Sequence, residues 1–409
     1  MSLSDIDLDD PLIFHNPDFF RDPYATFARV RQKGELVRLK FWGGVHYVGG
    51  YDSIAKTITE PRLSHDLSTF WAHMYDAEQN RALSDFARLF GLWMAHYDGP
   101  RHVRLRGLLS KAFTRSLQTR EPHIASVIQS GVQALPRGEA FDLIRTFAYP
   151  LPARVISALL EIDDDKFALF MACADDLIEL TGSTKANFAV ALRTQASLLA
   201  LTEYLQELIA RRRREPGDDL ISLMIGADDG GAPLSDEEIH GQCAMMLFAG
   251  HETTRNLIGN GMLSLLQHPD QLQLLRREPG LMRRAIEEIL RFQSPVQLTV
   301  RGVREDFELC GKPLRAGEYV MFNFGSANRD ERKFSQPGTF DIRREEERHV
   351  AFGIGPHTCI GARLSALEGQ LAFSALFARF PNLRLLDAEP EWHHNAGFRG
   401  LQRLMISGE

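Results

Sequence analysis

Residues 349–362 read HVAFGIGPHTCIGA, and a single cysteine, Cys359, stands there among Gly353, Gly355 and Gly361. Glycine permits backbone angles and close approaches that other residues resist. The following run, ARLSALEGQLAFSALFARF, has the apolar spacing of a helix. A helix that starts just past Cys359 directs free N–H groups and a partial positive charge at the sulfur, and both favour a thiolate. A thiolate in a glycine-lined loop that admits a flat body is the donor that axial ligation of haem iron requires. The plain alternative is a tight turn around a buried, inert thiol.

A second group with chemical potential is Ala249-Gly250-His251-Glu252-Thr253-Thr254. It lies within a pattern that opens with Ser235 and Glu238, the spacing of a capping box. Nothing forces a stop before Gln267, and about 32 residues make a helix of roughly 48 Å. The stretch CAMMLFAG is apolar all round, as suits a helix through a core. Gly250 weakens that helix, and Thr253 can bond to a carbonyl one turn back and bend it. A widened turn there would hold water. Glu252 needs a partner in such surroundings. Either His251, Glu252, Thr253 and Arg255 form a satisfied internal network, or the carboxyl and hydroxyl serve a reaction. His102 and Arg106 share a helix face four residues apart, as a solvated basic face or as donors to carboxylates. Glu288 and Arg291 also share a face, as a surface pair or a buried one.

Residues 352–361 match the haem-binding signature of the cytochrome P450 monooxygenases in phenylalanine, glycines, histidine and cysteine, and the chain resembles that family along nearly its whole length. AGHETT resembles the family's distal motif, HVRLR its HTRLR helix, and Glu288 to Arg291 its ExxR motif. The resemblance implies a mostly α fold with a small β region, a long central helix over haem and the cysteine loop beneath. It implies Cys359 as the ligand of haem b iron, Phe352 beside the sulfur, and Gly353 and Gly361 in the loop. His102, Arg106, Arg301, His349 and His357 would hold propionates. Ala249 and Gly250 would face the haem, and Glu252 and Thr253 would guide protons and water for O2 chemistry. Phe86, Trp93, Met94, Met246, Val296, Gln297, Leu298 and Phe398 would line the substrate pocket. Glu288 and Arg291 would lock to Arg344, with Arg343 a weaker candidate. Where the family usually has Asp-Pro-Pro-Glu, this chain has Asp98-Gly99-Pro100-Arg101. That change bears on the local turn or the redox-partner face.

The positioning elements follow from patterning. Residues 1–22 read as an irregular lead, and a short helix starts at Pro23. LVRLKFWGGVHYVGG reads as a hairpin, and YDSIAKTIT as a helix that ends before Pro61. Residues 65–97 hold Phe70, Trp71, Met74, Tyr75 and Phe90, either as a packed pair of short helices or as a wall over an apolar pocket. Residues 117–213 are helical by period, with breaks near residues 136–138, Pro152, 163–165 and 181–183. Helices from Lys166 and from Asn187 would be the lid pair by resemblance. The second ends in Arg211 to Arg214, which reads as a solvated helix end. Residues 307–330 read as strands joined by turns.

The 409 residues carry 47 basic and 54 acidic groups, a net charge of -7, which argues against a nucleic-acid binder. Four scattered cysteines without a CxxC pair fit a reducing compartment and no structural zinc or iron–sulfur site. No apolar run is long enough to span a membrane, and no signal peptide is visible. The chain thus looks like the soluble, cytoplasmic, bacterial branch, a single haem-thiolate domain over residues 1–409 and a monomer. It would oxidise a small apolar organic substrate in secondary metabolism with O2. Electrons would pass from NAD(P)H through a ferredoxin reductase and a ferredoxin. A peroxide-driven or coupling oxidation, or a haem-binding sensor, are the other readings of the same residues.

Overall fold

A computed structural model of the chain describes residues 7, 8, 10, 13–67, 74–181, 187–228, 231–345, 348–387 and 389–408. Phe70 and Trp71 lie outside the described residues. The described chain divides into two compact units. One comprises Met1–Ser64, Ile128–Tyr149 and Thr253–Glu409, and the other His65–Val127 and Pro150–Glu252.

The first unit begins where the sequence suggested an irregular lead, and here the reading is corrected. A 3-10 turn (Ile13–His15) leads into helix α1 (Pro17–Arg21) and helix α2 (Pro23–Gln32). The signal was present as Asn-Pro and Asp-Pro. Asn16 accepts from the Asp18 N–H at 2.9 Å and Asp22 from the Tyr24 N–H at 3.1 Å, each followed by proline at the first helical position. Burial of Phe14, Phe19, Phe20 and Phe27 against Tyr47 and Met321 then fixes the segment.

The expected hairpin is present. Strands β1 (Val37–Leu39) and β2 (Val45–Val48) pair antiparallel, joined by a turn in which Gly43 and Gly44 have φ of 73° and 117°. Helix α3 (Tyr51–Thr57) follows, then β3 (Leu63–Ser64). Later come β4 (Ala140–Asp142), β5 (Leu298–Val303), β6 (Phe307–Leu309), β7 (Lys312–Leu314), β8 (Tyr319–Asn323), β9 (Arg384–Leu385) and β10 (Met405–Ser407). The largest sheet has the order β1-β2-β8-β5-β3, and β8 joins β2 parallel and β5 antiparallel. Smaller sheets are β4-β10-β9 and β6-β7.

The second unit is helical among its described residues. Its 65–97 region contains two short helices, α4 (Ala77–Ala82) and α5 (Ser84–Phe90), helices being one of the two readings of this region. Helix α6 (Gly99–Gln133) starts there and runs on into the first unit. A π-helical turn (Ile144–Ala148) precedes α7 (Pro150–Leu160). The break expected near Pro152 falls just before Pro150, and Pro152 sits in the first turn, where its missing N–H costs no helical bond. Helices α8 (Phe167–Leu180), α9 (Phe188–Arg214) and α10 (Leu220–Ile225) complete the run. Three of the four arginines ending α9 are paired within the unit. Arg211 meets Asp163 at 2.6 Å, Arg212 meets Asp219 at 2.8 Å and Glu161 at 2.9 Å, and Arg213 donates to Asp236.

Helix α11 (Asp236–Gln267) is the predicted long helix, and the capping box forms. The Glu238 N–H donates to Ser235 Oγ, and the Ser235 N–H donates to Glu238 Oε2, each at 3.1 Å. α-Helix is continuous through Gly250 and every other residue of this stretch. Helices α12 (Pro269–Arg277), α13 (Met282–Phe292), α14 (Phe324–Ala327) and α15 (Ala362–Arg379) belong to the first unit. No described helix is long and apolar enough to cross a membrane.

Candidate active site

In the first unit, the cysteine loop closes on itself. The Cys359 N–H donates to Phe352 O at 2.9 Å, the Gly353 N–H to Val350 O at 2.9 Å, and the Thr358 N–H to Gly355 O at 3.0 Å. Gly353 and Gly355 have φ of 71° and 82°, which L side chains rarely adopt. Gly355 is needed a second time, because a Cβ there would collide with Thr59 Cγ2. A Cβ on Gly361 would lie 3.8 Å from Cys359 Sγ. Gly361 caps α15 without a side-chain bond, so the free N–H end of that helix begins three residues past the cysteine. Cys359 is exposed, whereas Cys173 and Cys243 are buried with thiols pushed above their ordinary range by burial.

The loop is held from behind. Asn328 Oδ1 accepts from the Val350 N–H at 2.7 Å, and Asn328 Nδ2 donates to Ser294 Oγ at 2.7 Å. Arg291 donates to Asn328 O at 2.9 Å, Pro337 O at 3.0 Å and Thr339 O at 3.1 Å. The same guanidinium forms a two-pronged pair with Glu288, both bonds 2.7 Å, with both groups buried. Arg344 completes the trio at 3.2 Å from Glu288 and donates to Ser335 O at 2.8 Å. Arg343 turns away to Glu278. This is the lock that the sequence suggested. Asn328 is the link between lock and loop, a place that was not legible in the sequence.

His349 and Gln297 both have partners within the first unit. His349 Nδ1 accepts from the Ala351 N–H at 3.2 Å, and Nε2 lies 3.1 Å from Glu287 Oε2. That histidine holds the Glu287 carboxyl below its usual range. Gln297 is 3% exposed, and its amide donates to Ser294 O at 2.6 Å, while its other end presses on Gly325. Alternation along the chain explains it, because Val296 and Leu298 point one way and Gln297 the other. Val296 forms a bridge with Phe398, and the Gln297 N–H donates to Gly397 O at 2.8 Å, so two expected pocket segments do meet. Arg301 is buried on β5, with Nη1 donating to Thr299 Oγ1 at 2.8 Å and Val300 O at 2.7 Å. Phe352 lies with its ring centroid 5.8 Å from that of His349, and His357 ends a short 3-10 turn.

In the second unit, His102 is buried on α6, and burial lowers its pKa, helped by Arg106 and opposed by Asp98. A neutral imidazole remains a single donor there. Ala249 is exposed and Gly250 half-buried amid otherwise buried residues of α11, and Thr253 follows Ala249 one turn later, half-buried, on the same helix face. Glu252 is 3% exposed. Gly250 has a packing reason that the sequence did not reveal, since its Cβ would come within 3.1 Å of Ile156 on α7. Trp93, Met94 and Met246 are buried. Gln242 was missed altogether. Its carbonyl accepts from the Met94 N–H at 3.0 Å and its amide donates to Leu92 O at 2.8 Å, pinning that segment to α11.

This donor set fits a haem. An exposed thiol sits in a loop cleared by three glycines at a helix N-terminus, and a guanidinium is buried on β5 in the same unit. Arg255 meets His393 at 2.6 Å and Leu401 O at 3.3 Å in the first unit.

Comparison with known proteins places these observations. The family model described as Cytochrome P450 matches residues 91–391. Cytochrome P450 107B1 of Saccharopolyspora erythraea is 38% identical, over 97% of this chain and 97% of that protein. Cytochrome P450 monooxygenase PikC of Streptomyces venezuelae is 38% identical, over 95% and 92%. The solved structure of P450BioI in complex with a hexadecenoic acid-ligated acyl carrier protein matches with a TM-score of 0.88 at 32% identity, covering 96% of this chain and 100% of that one.

Proposed function

Because the chain belongs to the cytochrome P450 family, we propose that Cys359 is the protein ligand of its haem iron and that Glu252 and Thr253 supply protons. The protein is a haem-dependent monooxygenase that inserts one oxygen atom of O2 into an apolar organic substrate, a hydroxylation suited to secondary metabolism. Bound haem supplies O2 activation, and the thiolate donates the electron density that favours O–O cleavage. The observation that carries the assignment is the exposed Cys359 sulfur in a loop whose glycines leave room beside it.

The chain's own residues then have separable tasks. The lock of Glu288, Arg291 and Arg344 keeps the loop in place. His102, Arg106, Arg301, His349 and His357 bind propionates, with Phe352, Gly353 and Gly361 shaping the bed. Ala249 and Gly250 give a bare helix face. The Glu252 carboxyl takes up protons and the Thr253 hydroxyl passes them on through water. Phe86, Trp93, Met94, Met246, Val296, Leu298 and Phe398 enclose the substrate. Residues 1–409 act as one haem-thiolate domain, monomeric and cytoplasmic. A ferredoxin, reduced by a ferredoxin reductase using NAD(P)H, delivers the electrons.

Reconstitution with a ferredoxin, its reductase and NADPH tests the proton step. Thr253→Ala is expected to consume NADPH at a similar rate while product per NADPH falls about tenfold or more, the scale of one positioned proton donor. Unchanged coupling in both Thr253→Ala and Glu252→Gln would remove these residues from the proton path.

A further inference from the structure

Arg101 replaces the acid that the family pattern carries, and the structure gives it a place. It lines a cavity of about 340 Å³ in the second unit together with Tyr75, Phe86, Phe90 and Tyr97. Its guanidinium lies 3.7 Å over the Tyr97 ring and touches no carboxylate among the described residues. Cation–π contact fixes the direction of the charge without neutralising it. Two polar atoms in the same walls are left over. The hydroxyls of Tyr75 and Tyr97 are buried and have no hydrogen-bond partner among the described residues. A buried hydroxyl without a partner is costly, and a ligand oxygen removes that cost.

We infer that this cavity binds an apolar or aromatic carboxylic acid, its body against Phe86 and Phe90 and its carboxylate received by Arg101 and the two tyrosine hydroxyls. The volume suits a two-ring molecule. Phe86 and Phe90 are stacked, with centroids 5.1 Å apart, and give a flat aromatic wall. Burial raises the pKa of both phenols, so they stay protonated and able to donate. Asp66 also lines the cavity, within electrostatic reach of His96, whose pKa burial lowers, while Arg101 is the charge held over Tyr97. The inference stands apart from the haem assignment, since binding is read without turnover.

The matched probes 4-benzoylbenzoate and benzophenone test it on the holoenzyme. On irradiation the ketone takes a hydrogen atom from a nearby C–H bond and the two radicals join, so each adduct has the mass of protein plus probe. Peptide mapping is expected to place the acid's adducts within residues 75–101, with labelling at lower probe concentration than for benzophenone. Arg101→Glu should weaken the acid roughly tenfold, less at high salt, and leave benzophenone unchanged. Tyr75→Phe with Tyr97→Phe should weaken the acid about tenfold and leave benzophenone unchanged, and Ala87→Trp, which fills the cavity from α5, should abolish both. Equal labelling by acid and ketone, adducts only elsewhere, or an acid-to-ketone ratio unmoved by Arg101→Glu would overturn the inference.

Discussion

Gly355 carries two demands at one position, a φ of 82° and a near approach to Thr59. Gly355→Ala should therefore cost about 1–3 kcal/mol in thermal unfolding, and adding Thr59→Ala should return only the part due to collision. Full recovery in the double variant would mean that backbone strain contributes nothing. Glu318 gives a pH-dependent case. Burial raises its pKa, but the Arg315 N–H, Arg38 and His46 outweigh that and bring it down to about 2. Its folded value lies below the unfolded one, so the contribution is present above about pH 4.3 and is lost as pH falls toward 2. The group is partly exposed, so solvent reduces the effect to about 1 kcal/mol. Glu318→Gln should flatten stability between those pH values, and an unchanged acid limb in urea titrations would contradict this. At this scale the sequence told much about Cys359 and its glycines, whose spacing is local. It told less about His349 and Gln297, whose partners Glu287 and Ser294 come from another helix and its end.

The element that matters most is the scaffold behind the loop rather than the loop itself. Helix α13 offers Glu288 and Arg291 on one face, and the chain after α14 returns Arg344 and three backbone carbonyls to them. Removing one partner leaves a buried charge, so Arg291→Ala should lose about 3–5 kcal/mol and lower haem uptake, measured as haem bound per folded chain. Normal uptake with normal stability would separate the lock from the loop. The spacing of Glu288 and Arg291 was readable, because a helix converts three residues into one face. Arg344 was reached by resemblance. Gln242 was unreadable, since a glutamine on an apolar helix carries no sign that a distant backbone at Leu92 and Met94 needs two bonds. The aromatic lead was misread because attention to its acids and prolines hid two N-caps and a phenylalanine cluster.

At the scale of the molecule, the long helix, the β region and the order of motifs were legible, and family membership follows from the comparisons over nearly the full length. The substrate was not, because a pocket is an arrangement of side chains from many segments and has no period. What the whole chain does depends on whether one sulfur reaches iron. The most direct measurement is the absorption spectrum of the reduced carbon monoxide complex, for the native chain and for Cys359→Ser. The account predicts the long-wavelength Soret band of thiolate ligation in the native protein and its loss in the variant. A native protein, folded and haem-loaded, with only the short-wavelength band, or a variant with an unaltered spectrum, would contradict it.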